Sequence, residues 1–191
     1  MKIYIDVDNV ITKTNEYFFE NCKVRFARKN MVYSETRPNA YHLTEWFVRN
    51  GYATELEAIA MKEILFNDVN YWESIPLLYG ARQTIEDLNK EAEIVLATDL
   101  ITIRSDAPMI GRKRWFQRNF PFLNLNQLYY ISRKSDLIGD YLIEDVSEQI
   151  EGFAGKRILF DYPYNRDFED CIRLYADYWP HVREIFKMGP L

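Results

Sequence analysis

The sequence predicts an α/β protein in which a doubly wound, Rossmann-like parallel sheet carries a block of helices inserted after its first strand. Three features lead there: short apolar runs recur along the chain, helical patterns separate them, and residues 13–75 interrupt the alternation. Parallel strands covered on both faces read as nearly continuous runs rich in Val, Ile and Leu. Strands that take turns with helices build crossover units, and crossover units build a parallel sheet.

The runs, in order, are "KIYIDV" (2–7), "EIVLAT" (93–98), "LYYIS" (128–132), "YLIED" (141–145) and "RILFD" (157–161). Helices are expected over "GARQTIEDLNKEA" (80–92), "GRKRWFQRNF" (111–120) and "SEQIEGF" (147–153). The closing stretch "RDFEDCIRLYADYWPHVREIFKMG" (166–189) reads as one helix interrupted near Pro180. Between the first two runs, "NEYFFENCKVRFARKNM" (15–31), "AYHLTEWFVRNG" (40–51) and "TELEAIAMKEILFND" (54–68) place apolar residues at helical spacing and contain no convincing strand. The expected organisation is therefore an α/β core of residues 1–12 and 76–191 with a helical cap of residues 13–75 over the sheet's carboxyl end, where open α/β sheets bind ligands. The plainer alternative is a helical subdomain that only enlarges the core.

Composition narrows the function classes. The chain has 191 residues, enough for one good core plus a modest insertion. It is 48% hydrophobic and 28% charged, and no apolar run approaches the roughly 20 residues of a membrane span. An acidic pair within the first eight residues is incompatible with a secretory signal peptide. Cys22 and Cys171 are too few for a disulfide framework and fit a reducing, cytoplasmic location. With 24 basic against 29 acidic residues the net charge is −5, so neither a long nucleic acid nor a membrane is an expected partner. A small phosphorylated substrate needs only a few local cations and remains open. A second copy of the chain is the one macromolecular partner allowed for.

The strand ends carry the chemistry. "IYIDVDNVIT" places Asp6 and Asp8 where the first strand runs out, and a carboxylate at the edge of a core is costly unless it is paired, hydrogen-bonded or metal-bound. The second strand ends in Thr98-Asp99, Lys134 precedes the fourth, and the fourth ends in Glu144-Asp145. Parallel strands bring these ends to one edge of the sheet. One Asp can serve as a nucleophile and the other as acid/base, with Asp145 helping to hold a hard cation. Mg²⁺ takes oxygen ligands, commonly one or two carboxylates together with a substrate phosphate.

At these residues the chain resembles the haloacid dehalogenase (HAD) superfamily of phosphohydrolases, in the order DxD, Thr, Lys, acidic pair. Within it, the closer similarity is to the 5'(3')-deoxyribonucleotidase family, the cytosolic type C group. "YWESIPLLYGARQTIEDL", "RKRWFQRNFPF", "SRKSDLIGDYLIEDVSEQI" and "ILFDYPYNR" resemble family stretches in the same order, including the ten-residue step from Lys134 to Glu144. The resemblance covers most of the chain and is weakest in the cap. Four residues at three places depart from the family pattern. Asn9 stands where Gly is usual, Asp99-Leu100 replaces the frequent Ser-Pro, and Glu144 replaces the first Asp of the pair.

The resemblance implies a HAD-like fold and a Mg²⁺-dependent phosphomonoesterase that works through an aspartyl-phosphate on Asp6. Asp8 would be the acid/base. Asp6, the Asp8 main-chain carbonyl and Asp145 would hold Mg²⁺, with Glu144 at the metal or its waters. Thr98 and Lys134 would bind the phosphate, as would the position of Asp99. Arg112, three residues before Trp115, would add a further contact, with Lys113 as its substitute. The implied substrate is a nucleoside monophosphate, most of all a deoxyribonucleotide.

Alone, each of these residues has a plainer reading. Asp6 and Asp8 can cap a turn or bind a structural cation, Thr98 is an ordinary strand residue, and Lys134 and Arg112 are solvated charges. Tyr17, Phe18, Phe19, Trp46, Phe47, Tyr71 and Trp72 are expected mostly inside the cap, with one or two on the substrate cavity. His42 and His181 lack metal-ligand spacing. Two further functions stand beside the nucleotidase: a HAD phosphatase for another small phosphomonoester, and a non-catalytic, Mg²⁺-dependent protein that binds a phosphorylated ligand.

Overall fold

The computed structural model describes residues 1–27, 31, 43–99 and 105–191. Six strands are described: β1 (Lys2–Asp6), β2 (Glu93–Thr98), β3 (Leu128–Tyr130), β4 (Tyr141–Glu144), β5 (Lys156–Phe160) and β6 (Ile172–Leu174). They form one parallel sheet in the order β3-β2-β1-β4-β5-β6. From β1 the chain steps outward through β2 and β3, then crosses back to β4 on the other side of β1. That reversal opens a crevice at the carboxyl ends of β1 and β4, the usual ligand position in such sheets.

Both faces of the sheet are covered, which is why its strands read as continuous apolar runs. Ile3, Ile5, Ile94, Leu96, Ile143, Ile158 and Phe160 point into one core, beneath α5 (Ala81–Leu88), α6 (Ala107–Asn119) and α8 (Tyr178–Ile185). Their neighbours Tyr4, Val95, Ala97, Leu142 and Leu159 point into the other, against Ile150 of α7 (Ser147–Ile150) and Phe153. Burying each large apolar side chain contributes about 1.5–3 kcal/mol. The sheet's central strands thus gain from both surfaces.

Between β1 and α5 the described chain is helical: α1 (Thr14–Arg25), α2 (Leu43–Arg49), α3 (Glu55–Phe66) and α4 (Val69–Glu73). Thr54 and Glu57 form a capping box that starts α3. Phe18, Phe19, Trp46, Phe47, Leu65, Phe66, Tyr71 and Trp72 meet in a third cluster drawn wholly from residues 18–75. This cluster is fastened to the sheet layer through α6. A Cβ on Gly111 would lie 2.4 Å from Trp72 Cβ and 2.6 Å from the Val69 carbonyl, so only glycine lets α4 and α6 approach this closely. The Trp115 indole N–H donates to Ile75 O at 2.9 Å across the same contact.

Several expected elements shift. The helix expected over 111–120 begins at Ala107, with Pro108 in its first turn, and that expected over 80–92 stops at Leu88. The helix at 147–153 shrinks to one turn, and β3 ends at Tyr130. The closing segment departs most. It is not one interrupted helix: Ile172–Leu174 form an edge strand beside β5, and α8 follows. Pro180 lies in the first turn of α8, where a backbone N–H has no partner within the helix, so it sits near the helix start instead of breaking it. No described helix is long and apolar enough to cross a membrane.

Candidate active site

β1 delivers Asp6 to the crevice, and the chain then turns sharply. Ile11 N and Thr12 N both donate to Val7 O, at 3.1 and 3.0 Å, closing the turn around a buried Val7. Asn9 takes φ +57°, a left-handed conformation that Asn tolerates better than most residues. This accounts for an Asn where the family usually has Gly.

Asp6, Glu144 and Asp145 each bring a carboxylate oxygen to within 4.8 Å of the others, and all three are buried. The register explains the meeting: Ile5 pairs with Ile143, so Asp6 and Glu144 come one residue later on adjacent strands. Lys134, 3% exposed, enters from a short 3₁₀ turn (Lys134–Asp136) and donates to Asp6 Oδ1 and, at 2.6 Å, to Glu144 Oε2. Glu144 Oε1 accepts from the backbone N–H groups of Asp145 and Val146, at 3.2 and 3.3 Å.

The electrostatics are those of a site short of positive charge. Burial, reinforced by Glu144, pushes the Asp6 carboxyl well above the usual range, against the pull of Lys134. Burial raises Glu144 to about 8 against the same pull, and burial with the Asp6 charge raises Asp145 to about 7. Burial alone would lower Lys134, but Asp6 and Glu144 override it and keep the ammonium protonated. One ammonium against three carboxylates leaves an excess that a divalent cation would balance. An all-oxygen donor set suits a hard cation such as Mg²⁺. The residues fit that group.

Asp8 lies beside this trio, not in it. Its Oδ1 accepts from Thr14 Oγ1 at 2.6 Å and from Arg112 Nη2, and its Oδ2 from Thr98 Oγ1 at 3.3 Å. With 26% of its side chain exposed, Asp8 remains reachable from solvent. Arg112 is buried, not a solvated helix charge: its guanidinium lies 4.8 Å from the Trp72 ring centroid and 5.9 Å from that of Trp115. Its Nη1 has no hydrogen-bond partner among the described residues. Lys113, its alternative, is exposed.

A cavity of about 720 Å³ opens over the site, lined by Asp6, Asp8, Asp99, Lys134, Glu144 and Asp145 from the strand ends. Thr98 and Arg112 are absent from its lining; both are engaged with Asp8. Asp99 faces the cavity with a carboxyl raised by burial and by Asp8, partly offset by Lys134. An anionic carboxylate repels a phosphate dianion, so Asp99 is suited to phosphate only through its main chain. Leu43, Lys62 and Phe66 line the cavity from the helical insertion. None of the seven aromatics singled out in the sequence does so. Phe18, Phe19, Trp46, Phe47, Tyr71 and Trp72 are buried in the insertion's own cluster and Tyr17 packs against it; Phe66 and Tyr130 supply the aromatic wall instead. Sequence reasoning also passed over Tyr164, whose hydroxyl donates to Asp145 Oδ2, although "ILFDYPYNR" was already a family-like stretch. His42 and Leu100 lie outside the described residues, and His181 Nδ1 lies 3.2 Å from Ala176 O, away from the site.

The chain is similar to several known proteins. The 5'(3')-deoxyribonucleotidase of Bacillus subtilis is 26% identical over 107 residues, 56% of this chain and 61% of that protein. A Staphylococcus epidermidis relative is 26% identical over 123 residues, 64% of this chain and 66% of its own length. The matched segments thus span about two thirds of these curated relatives or less. Among solved structures, a HAD-superfamily hydrolase from Geobacter sulfurreducens superposes with a TM-score of 0.56 at 13% identity, over 99% of this chain and 97% of that one. Magnesium-bound YfnB from Bacillus subtilis gives 0.56 at 12% identity, over 98% of each chain. At such identities the likeness is one of fold. Residues 1–188 match the family described as 5' nucleotidase, deoxy (pyrimidine), cytosolic type C, and with this match the chain belongs to that family.

Proposed function

We propose that this protein is a Mg²⁺-dependent phosphomonoesterase that hydrolyses nucleoside 5'-monophosphates, deoxyribonucleotides above all. The observation that carries the reading is the trio of buried carboxylates, two of them bridged by one lysine, beside a separately held Asp8. A phosphate-binding protein without turnover has little use for a buried carboxylate nucleophile and a second, solvent-reachable carboxylate next to it.

The residues divide the work. A carboxylate oxygen of Asp6 attacks phosphorus, and the bond to the leaving oxygen breaks, giving an aspartyl-phosphate; one difficult displacement becomes two easier ones. Asp8 gives its proton to the departing oxygen, then takes one from the water that attacks the phospho-enzyme and frees Asp6. Lys134 stabilises charge on the transferring phosphoryl group, and Thr98 is placed to help once its hydroxyl turns from Asp8. Arg112 holds Asp8, and its spare Nη1 is a donor for a phosphate oxygen or a water. Asp6 and Asp145 are the carboxylates that would hold Mg²⁺, with the Asp8 main-chain carbonyl and with Glu144 beside them. When bound, the cation offsets the repulsion between carboxylates and a phosphate dianion. Residues 13–75 serve as the cap, and the cavity-facing Lys62 and Phe66 are its contribution to the leaving group.

The test is kcat/KM for dUMP, dTMP, dGMP, UMP and ribose 5-phosphate with Mg²⁺, and for the best substrate in EDTA. A nucleotide should exceed ribose 5-phosphate by about tenfold or more, since base stacking is worth roughly 1–3 kcal/mol. Equal turnover of ribose 5-phosphate would return the chain to the general HAD phosphatases, and full activity in EDTA would remove the metal.

A further inference from the structure

The stretch after β5 was part of the family-like sequence, yet nothing in the chemistry above uses it. In the structure it wraps Asp145. Tyr164 donates its hydroxyl to Asp145 Oδ2, and Asn165 Nδ2 donates to the Asp145 main-chain carbonyl at 2.6 Å and to Phe160 O at 2.8 Å. Tyr162 OH donates to Asn9 O at 2.9 Å, and Asn9 Nδ2 donates at 3.2 Å to the same Asp145 Oδ2 that Tyr164 reaches. The Tyr162 and Tyr164 rings are stacked, with centroids 5.4 Å apart and planes 1° from parallel. Arg173 of β6 steadies the loop from behind, donating to Asn165 Oδ1 at 2.7 Å and Asn165 O at 3.0 Å.

Two donors on one oxygen have a specific consequence. They restrain the rotation of the Asp145 carboxylate and occupy Oδ2, with the Glu144 carboxyl as its other hydrogen-bonding neighbour, and leave Oδ1 as the oxygen a cation can take. A cation that takes Oδ1 meets an oxygen whose orientation is already settled. Asn9 is informative here. Glycine would serve the turn at φ +57° equally well, but only asparagine adds the amide that reaches Asp145. We propose that residues 161–165 and Asn9 form a positioning device for the metal, in which Tyr164 and Asn9 hold Asp145 by Oδ2 so that Oδ1 faces Mg²⁺. This rests on the magnesium reading of the site and adds the residues that prepare it. Partners that orient a metal ligand typically change metal affinity 10–100-fold when removed.

The experiment is calorimetric titration of the metal-free protein with Mg²⁺, without substrate, for wild type, Tyr164→Phe, Asn9→Gly and Asp145→Asn. Melting of each in EDTA and in Mg²⁺ accompanies it. Tyr164→Phe should weaken Mg²⁺ binding about tenfold or more and shrink the rise in Tm that Mg²⁺ gives. A loop that is merely structural would lower Tm equally with and without the metal and leave the Kd alone. Asn9→Gly, which keeps the turn, should weaken binding in the same direction; it decides the matter if Tyr164→Phe does not fold. Because both donors share one acceptor, the double variant should lose less than the product of the single losses. Unchanged Mg²⁺ affinity in both single variants, with binding lost in Asp145→Asn, overturns the positioning role and leaves the magnesium reading standing. A wild-type protein that binds no Mg²⁺ overturns both.

Discussion

The Lys134 ammonium lies between Asp6 and Glu144, donating to Asp6 Oδ1 and, at 2.6 Å, to Glu144 Oε2. Its two partners come from adjacent parallel strands, so one side chain ties the end of β1 to the end of β4. Lys134→Met should fold less stably, because it strands buried carboxylates, and removing one partner of a buried ion pair costs about 3–5 kcal/mol. In the folded fraction, kcat should fall about 10²–10³-fold, the usual loss for one donor at a transition-state oxyanion. A kcat within fivefold of wild type would take Lys134 out of the chemistry.

Asp6 and Asp8 should fail differently. Asp6→Asn keeps the shape but not the nucleophile, and should show no turnover with any phosphomonoester. Asp8→Asn should still be phosphorylated by an aryl phosphate, whose leaving group needs no proton, and then stall. The expected trace is a burst of one aryl alcohol per enzyme followed by a steady state slowed about 10²–10⁴-fold. Two equally inert variants without a burst would undo this division of labour.

The parallel sheet and the convergence of Asp6, Thr98, Lys134 and the Glu144-Asp145 pair were legible because they follow from local patterns. Buried parallel strands are written as apolar runs, and parallelism alone collects their ends. What the pattern hid was long in sequence or short in space. The Asn9–Asp145 bond joins residues 136 positions apart. Strand β6 has three residues, one of them Arg173, too few to show a period. Pro180 was misread because a proline in the first turn and one in a helix interior look alike until the start is known. The aromatics of residues 13–75 were rightly expected inside, but which ring reaches the cavity depends on how four helices pack, and that choice fell on Phe66.

Stability without metal should fall as pH rises. Glu144 sits at about 8 and Asp145 at about 7 in the folded protein, both above the ordinary carboxylate range by burial, and Asp6 is raised too. A folded state that holds protons the unfolded chain has released loses stability with increasing pH. The loss runs from the unfolded carboxyl range near pH 4 to the folded values near 7 and 8. In EDTA, Tm should drop from pH 5 to pH 8, the drop should shrink in Glu144→Gln, and saturating Mg²⁺ should remove most of it. A Tm in EDTA that climbs across this interval would contradict the buried excess of carboxylates.

Arg112 offers a choice between two jobs that kinetics can separate. Its guanidinium reaches Asp8 from a sandwich with Trp72 and Trp115, and the cavity wall does not include it. If its main work is to hold Asp8, Arg112→Met should lower kcat for alkyl phosphates about tenfold or more. Aryl phosphates should suffer less, and the inhibition constant of inorganic phosphate should stay within about threefold. A large rise in that constant with equal losses for both leaving groups would assign Arg112 to the phosphate instead.

The insertion should act on the leaving group and not on the phosphate. Lys62 projects from α3 onto the cavity, its ammonium 5.4 Å from the Phe66 ring centroid, and it makes no ion pair among the described residues. Burial lowers its proton affinity, the mark of a cation held without a carboxylate to offset desolvation. A nucleotide brings sugar and base oxygens that such an ammonium can meet; a small aryl phosphate brings none. Lys62→Met keeps the aliphatic bulk over Phe66 and removes the charge. KM for dUMP should therefore rise about fivefold to tenfold, close to 1.36 kcal/mol at the upper end, while kcat/KM for p-nitrophenyl phosphate changes less than twofold. Equal losses for both substrates would mean that Lys62 shapes the site as a whole. No loss for either would make it a cavity-edge lysine lying on an aromatic ring, and recognition of the leaving group would then have to come from the other residues around the cavity.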